Sequence, residues 1–110
     1  MTPDERLERY ADLVVRGGAN VQTGQDVVII AQVEHVHVVR AVARSAYRAG
    51  AGHVEVRYGD QKLRRAAIEL GPEEELGWTA PREVEWIRSW AESRPAVIQL
   101  SGTPDPRLFH

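Results

Sequence analysis

The sequence of 110 residues contains no cysteine, no large excess of charge of one sign and no apolar run long enough to span a bilayer. Without cysteine, a disulfide framework and a thiolate metal site are excluded. The 14 basic and 16 acidic side chains leave a net charge of −2, so we expect no attraction to nucleic acid or to an anionic membrane. No secretory signal is recognisable, and a cytoplasmic protein is the simplest interpretation.

Three segments have the composition of β-strands. Residues 27–31 and 96–100 have continuous apolar centres, which is typical of strands covered on both faces. Residues 53–58 alternate, with Val54, Val56 and Tyr58 on one side, which favours a half-exposed strand at a sheet edge. The predicted strand order is therefore 2-1-3, with the outer side of the third strand left without a neighbour.

Segments with helical periodicity precede the first strand and separate the three strands. The first helix begins at Thr2-Pro3, with Leu7, Tyr10, Ala11 and Val14 inward, and ends at Gly17-Gly18 in a left-handed conformation. Residues 34–49 place Val38, Val39, Val42, Ala46 and Ala49 inward and leave Arg40, Arg44 and Arg48 as a solvated stripe. Residues 61–70 present Leu63, Ala66, Ala67 and Leu70 on one face. Residues 81–93 present Val84, Ile87 and Ala91 inward.

Alternating strands and helices predict right-handed crossovers and a parallel sheet. We therefore expect a three-layer α/β fold with helices on both faces of a small sheet, and the length suits one domain over residues 1–110. Trp86 and Trp90 lie one turn apart, and we expect at least one of them to meet a neighbouring domain or subunit. The apolar ending at residues 108–110, without a closing element, suggests the amino-terminal domain of a longer enzyme.

Ligands of parallel sheets bind beyond the carboxyl ends of the strands, here residues 32–35, 59–60 and 101–105. Loop structure alone explains these polar residues better than a small-molecule site does. A dinucleotide site would need glycines directly after the first strand, where there are none, and Gly50 and Gly52 precede a strand instead.

Glu34, His35 and His37 form the only local cluster of possible metal ligands. Two histidines one residue apart point in different directions on a helix, so a helix start with Glu34 near its positive end and partly exposed histidines is the favoured interpretation. Ser101, His35 and Asp60 could form a nucleophilic triad, but no glycine-flanked nucleophile supports it. The residues themselves thus assign no catalytic, cofactor-binding or metal-binding side chain.

Three stretches carry a resemblance to a known family: LERYADLVVRGGANVQTGQDVVI, RAVARSAYRAGAGHVEVRYGD and IQLSG followed by TPDP. They resemble the amino-terminal region of metallo-aminopeptidases of the aminopeptidase T and aminopeptidase S type, the thermophilic metalloprotease family. The resemblance is strongest at residues 7–60 and 97–106 and is loose across residues 70–94.

The resemblance implies a cytoplasmic homodimer of several hundred residues per subunit. Two divalent ions, zinc or cobalt, would activate water against the first peptide bond of a short peptide. The metal ligands of the family lie in the carboxyl-terminal half, and no position here matches their motif. We therefore expect this segment to bind no metal, to be inactive alone and to wall the cleft of a carboxyl-terminal catalytic domain. The alternative is a stand-alone α/β interaction or small-ligand-binding module.

Overall fold

In a computed structural model, residues 1–75 and 77–100 are described. The predicted loop at residues 101–105, and Ser101 with it, lies outside the described residues. The elements follow in the order α1 Pro3–Asp12, a π-helical segment Leu13–Gly18, β1 Val27–Gln32, a 3₁₀ turn Val33–His35, α2 Val36–Arg48, β2 Val54–Gly59, α3 Gln61–Leu70, a 3₁₀ turn Glu73–Glu75, α4 Pro81–Ser93 and β3 Ala96–Gln99. No helix of the described residues is both long and apolar enough to cross a bilayer.

The three strands form a parallel sheet in the order β2-β1-β3. Val27 of β1 is opposite Val54 on one side and Ala96 on the other. The predicted α/β class, the parallel pairing and the strand order 2-1-3 are confirmed, and the order of elements is that of the three-layer class. Among the described strands, β2 and β3 are the two edges.

The chain divides into two compact units. The first contains Met1–Gly59 and the described residues from Pro95 onward, and therefore the whole sheet with α1 and α2. The second unit is Asp60–Arg94, with α3 and α4. One domain over residues 1–110 stays a prediction.

The core of the first unit is built around β1. Val27, Ile29 and Ala31 are buried on one side of the strand, and Val28 is buried on the other. Val27, Ile29 and Ala31 share one cluster with side chains of α1, the π-helical segment, α2 and β3, namely Leu7, Ala11, Val15, Val38, Val39, Ala41, Val42, Ala46, Ala96 and Ile98. The inward face predicted for α2 is thus confirmed, with Ala49 packed partly against the core.

The end of the first helix differs from the prediction. Gly17 and Gly18 do not adopt a positive φ, so the predicted left-handed end at these glycines is wrong. The helix continues into a π-helical turn, in which the Ala19 amide donates to the Val14 carbonyl at 2.8 Å. Asn20 takes the left-handed conformation instead, with φ 51°. Tyr10 is 36% exposed, so its predicted place on the inner face is wrong. The buried stripe follows a strict four-residue spacing from Leu7, which ends at Val15 and leaves Tyr10 outside.

The inward faces predicted for α3 and α4 are also wrong, since no residue of either helix is buried. Leu70 is 86% exposed, and Leu63 and Ile87 are exposed as well. A unit of this length has too little chain to enclose a core of its own. Trp86 and Trp90 do stack as the spacing predicts, edge to face with ring centroids 5.1 Å apart.

Two arginines of the predicted solvated stripe connect α2 to α1. Arg44 donates from Nε and Nη2 to Oε1 of Glu8 at 3.0 and 2.5 Å, and Arg48 donates to Oε2 of Glu8 at 2.7 Å. Beside them the buried Ser45 hydroxyl donates to Asp12 at 2.5 Å. Hydrogen bonds from Arg44 and then Arg48 hold the pKa of Glu8 below its usual range. The stripe is therefore a bridge between helices and not only a solvated surface.

Glycines join two loops at the amino-terminal end of the sheet. The Gly24 amide donates to the Gly50 carbonyl at 2.7 Å, and the Gly52 amide donates to the Gln25 carbonyl at 2.9 Å. Gly50 has φ 99°, and a Cβ on Gly52 would lie 2.9 Å from the Gly24 carbonyl oxygen. We call residues 24–25 and 50–52 the glycine clasp; it fixes the loop before β1 against the loop before β2.

Replacement of Glu8 by Gln should lower the free energy of unfolding by about 0.5–1 kcal/mol near pH 7, because ion pairs this exposed are weak. A lowered folded-state pKa means that the stabilisation is complete above the unfolded pKa of about 4.3 and is lost as the pH falls through the folded value. Urea unfolding at about pH 7 and about pH 3 should show a smaller loss on acidification in Glu8→Gln than in the wild type. Glu74→Gln, at an exposed carboxylate, is the control and should keep the wild-type loss; equal losses in all three proteins would contradict the assignment.

Gly52→Ala should destabilise the protein by about 1–3 kcal/mol, because the new methyl group collides with backbone of the glycine clasp. Gly17→Ala is the matched control: it lies in a helical turn with nothing within 4 Å of a built Cβ, and it should leave stability unchanged or raise it by about 0.5 kcal/mol. Thermal unfolding followed by circular dichroism measures both. Equal midpoints for the two variants would show that the clasp is not tight.

Candidate functional site

The carboxyl-terminal edge of the sheet is the place where a parallel sheet binds ligands. Gln32, the last residue of β1, is directly opposite Gly59, the last residue of β2. A Cβ built on Gly59 would lie 3.2 Å from Nε2 of Gln32, so the amide side chain lies against the Gly59 backbone. Oε1 of Gln32 is buried and has no hydrogen-bond partner among the described residues. This edge therefore holds a polar atom whose hydrogen bond is not satisfied by the described chain.

His35 ends the 3₁₀ turn after β1 and is only 4% exposed. Its Nδ1 atom is buried and, within the described part of the chain, accepts or donates no hydrogen bond. The expectation that both histidines are partly exposed is wrong for His35. The reason is the 3₁₀ turn, which precedes the α-helix and directs His35 inward, whereas Glu34 and His37 are exposed.

Glu34, His35 and His37 do not form a metal site. One of the three is buried and the other two are exposed, and residues 1–75 and 77–100 contain no group of three or more His, Asp or Glu side chains that could hold an ion. A metal with protein ligands needs such convergence. The residues present therefore do not fit a metal ion, and no chemistry of this segment is derived through one.

The dinucleotide loop and the nucleophilic triad are not supported by the described residues either. The turn after β1 is a 3₁₀ turn without glycine, while Gly50 and Gly52 belong to the glycine clasp at the opposite end of the strands, so a dinucleotide loop is absent from the described chain. Asp60 caps α3: its Oδ1 accepts from the amides of Lys62 at 3.0 Å and Leu63 at 3.4 Å. A triad of Ser101, His35 and Asp60 stays without support, and Ser101 is not described.

The pair of unsatisfied atoms on Gln32 and His35 was not predicted from the residues. A single signal was available, because a glutamine that ends an otherwise apolar strand places an amide at the ligand-binding edge. The burial of His35 had no signal of its own, since it depends on the length of the turn that connects β1 to α2.

Comparisons with known proteins agree on one family. The sequence model of the thermophilic metalloprotease (M29) family matches residues 3–110. Aminopeptidase T of Thermus thermophilus is 47% identical over 103 residues, which are 94% of this chain and 25% of the relative. Aminopeptidase AmpS of Bacillus subtilis is 35% identical over 102 residues, or 92% of this chain and 25% of the relative. The chain thus spans about a quarter of the length of these relatives.

A solved structure agrees as well. The structure titled wild-type AmpT from Thermus thermophilus superimposes with a TM-score of 0.79 at 38% identity, and it covers 97% of this chain and 27% of the solved chain.

Replacement of His35 by Leu tests whether the described chain leaves Nδ1 unpaired. Removing a buried polar atom that has no partner should leave the free energy of unfolding unchanged or raise it by up to about 1 kcal/mol. His37→Leu, at an exposed position of the next turn, is the control and should change it by less than about 0.5 kcal/mol. Urea unfolding gives both values. A loss of about 2 kcal/mol or more in His35→Leu alone would mean that the imidazole has a partner.

Proposed function

The chain belongs to the M29 family of thermophilic metalloproteases, and from this membership we propose that it is the amino-terminal α/β domain of a metal-dependent aminopeptidase. The parent enzyme would release amino-terminal residues from short peptides. The resemblance seen in the three sequence stretches is confirmed by the family match over residues 3–110.

One observation carries the proposal. The match runs along nearly the whole of this chain but along only 25% of aminopeptidase T, and no metal-ligand group occurs among the described residues. A metalloprotease whose metal ligands are not in this quarter would hold them in the other three. We therefore assign the divalent ions, two in number and zinc or cobalt in kind, to a carboxyl-terminal catalytic domain.

The role proposed for this domain is to limit access to the catalytic cleft. The carboxyl-terminal edge of its sheet, with Gln32, Gly59 and His35, is the part suited to line such a cleft, because loops at this edge are the ones that meet ligands in parallel sheets. The partners of the domain would be short peptides, the catalytic domain and a second subunit in a homodimer. The proposed location is the cytoplasm, and neither nucleic acid nor membrane is proposed as a partner.

A stand-alone interaction or small-ligand-binding module remains the alternative function. The observation in its favour is the presence of unsatisfied buried atoms on Gln32 and His35, which a ligand could pair without any catalysis.

A domain exchange tests the proposal. The 110-residue chain alone should release no p-nitroaniline from leucine p-nitroanilide in the presence of zinc or cobalt. A chimera in which this chain replaces the matching quarter of aminopeptidase T of Thermus thermophilus should retain metal-dependent hydrolysis, because the two are 47% identical there. The same chimera treated with a chelator is the control. Turnover by the chain alone, or a folded chimera that binds metal but has no activity, would refute the assignment.

A further inference from the structure

The second unit contains an open cleft of about 470 Å³ that none of the roles described so far uses. Its walls come from α3, the 3₁₀ turn with the two residues before it, and Trp78. Apolar and charged side chains share the lining, chiefly Arg64, Ala67, Ile68, Pro72, Glu75 and Trp78. A cleft of this volume is within the range of small-molecule sites.

Backbone hydrogen bonds define the shape of this cleft. The Gly71 amide donates to the Ala67 carbonyl at 2.9 Å, which ends α3. The Glu75 amide then donates to the Pro72 carbonyl at 3.0 Å, and the Trp78 amide donates to the Glu75 carbonyl at 3.0 Å. A Cβ on Gly71 would lie 2.5 Å from the Ala67 carbonyl oxygen, so the turn between helix and 3₁₀ segment requires glycine. Three successive turns therefore place Glu75 and Trp78 beside α3.

The charges in the cleft are of opposite sign. Arg64 and Glu75 both line it, and neither side chain has an ion-pair partner among the described residues. The rest of the lining is largely apolar: Trp78 is 66% exposed, Ile68 is exposed as well, and Ala67 and Pro72 complete the wall. Exposed aromatic and aliphatic side chains grouped in this way are a feature of binding surfaces.

This combination selects among ligand classes. A simple anion would be attracted by Arg64 but repelled by Glu75, and a simple cation would meet the reverse. A purely apolar molecule would cover both charges without pairing them, which is unfavourable. A zwitterion with an apolar side chain satisfies all three features, because its carboxylate pairs with a guanidinium, its ammonium pairs with a carboxylate and its side chain covers the indole.

We propose that the cleft of the second unit binds an apolar amino acid or a short apolar peptide through its two charged ends. The carboxylate lies at Arg64, the ammonium at Glu75 and the side chain against Trp78. This site goes beyond the proposed catalytic role: it needs no metal and breaks no bond, and it stands or falls independently of the hydrolysis experiment.

Titration of the 110-residue chain with leucine and with leucyl-leucine, followed by amide and indole NMR resonances, tests the site. Saturable shifts centred on Trp78 are expected with dissociation constants on the order of 1 mM. Saturation by leucine alone identifies an amino-acid site, and saturation by leucyl-leucine identifies a peptide site. N-acetyl-leucyl-leucine amide, which lacks both charges, should bind at least about tenfold more weakly, because it forms neither charge pair.

Arg64→Gln and Glu75→Gln should each weaken binding about tenfold, while Arg65→Gln and Glu74→Gln, neighbours that do not line the cleft, should bind as the wild type does. Unchanged resonances of α4, which does not line the cleft, verify that the second unit of each variant is folded. The proposal is overturned if neither ligand gives saturable shifts at concentrations on the order of 10 mM, or if both cleft variants bind as tightly as the wild type.

Discussion

Strand β1 is the element on which the rest of the first unit depends. Both strand pairings of the described sheet use it, and both of its faces are buried, so β2 and β3 have no common neighbour except β1. Its Val27 and Ile29 lie in the same cluster as the apolar stripes of α1 and α2. Hydrophobic burial along this one strand therefore holds sheet and helices together. The described residues of the second unit include no comparable strand, and α3 and α4 bury no side chain.

Polar contacts add specificity to this apolar core. Glu8 and Asp12 on α1 form hydrogen bonds with three side chains of α2, namely Arg44, Ser45 and Arg48. These bonds form together only when each helix has one orientation about its own axis. Ion pairs this exposed contribute little free energy. The Ser45 side chain is fully buried, and its hydroxyl donates a hydrogen bond to Asp12 at 2.5 Å, which pairs a polar group that solvent does not reach.

Local sequence signals were sufficient for most of the fold. Apolar patterns distinguished β1 from the edge strand β2, and helical periodicity located α3 and α4. The prediction that residues 96–100 are covered on both faces is wrong, because β3 is an edge strand and Val97 is 43% exposed. Errors arose where structure depends on distant parts of the chain. Tyr10 fits the helical period of α1 but lies outside the buried stripe of Leu7, Ala11 and Val15. The apolar residues of α3 and α4 also recur with helical period, yet none of them is buried. At the candidate site, the sequence located the edge of the sheet, whereas the burial of His35 depends on a turn length that no local pattern specifies.

The two ends of the sheet differ in how freely they can change over evolution. At the amino-terminal end the glycine clasp leaves no space for a side chain at position 52, so only glycine fits there without a shift of the backbone. At the carboxyl-terminal end Gln32 and His35 have polar atoms that no neighbour in the described chain constrains by pairing. A substitution at that end breaks no hydrogen bond made by these two atoms in the described chain, but a new side chain at position 35 has to fit a buried space, since His35 is only 4% exposed. A change of ligand preference is therefore less costly at the carboxyl-terminal edge, which carries loops, than at the amino-terminal edge, where an added side chain collides with backbone.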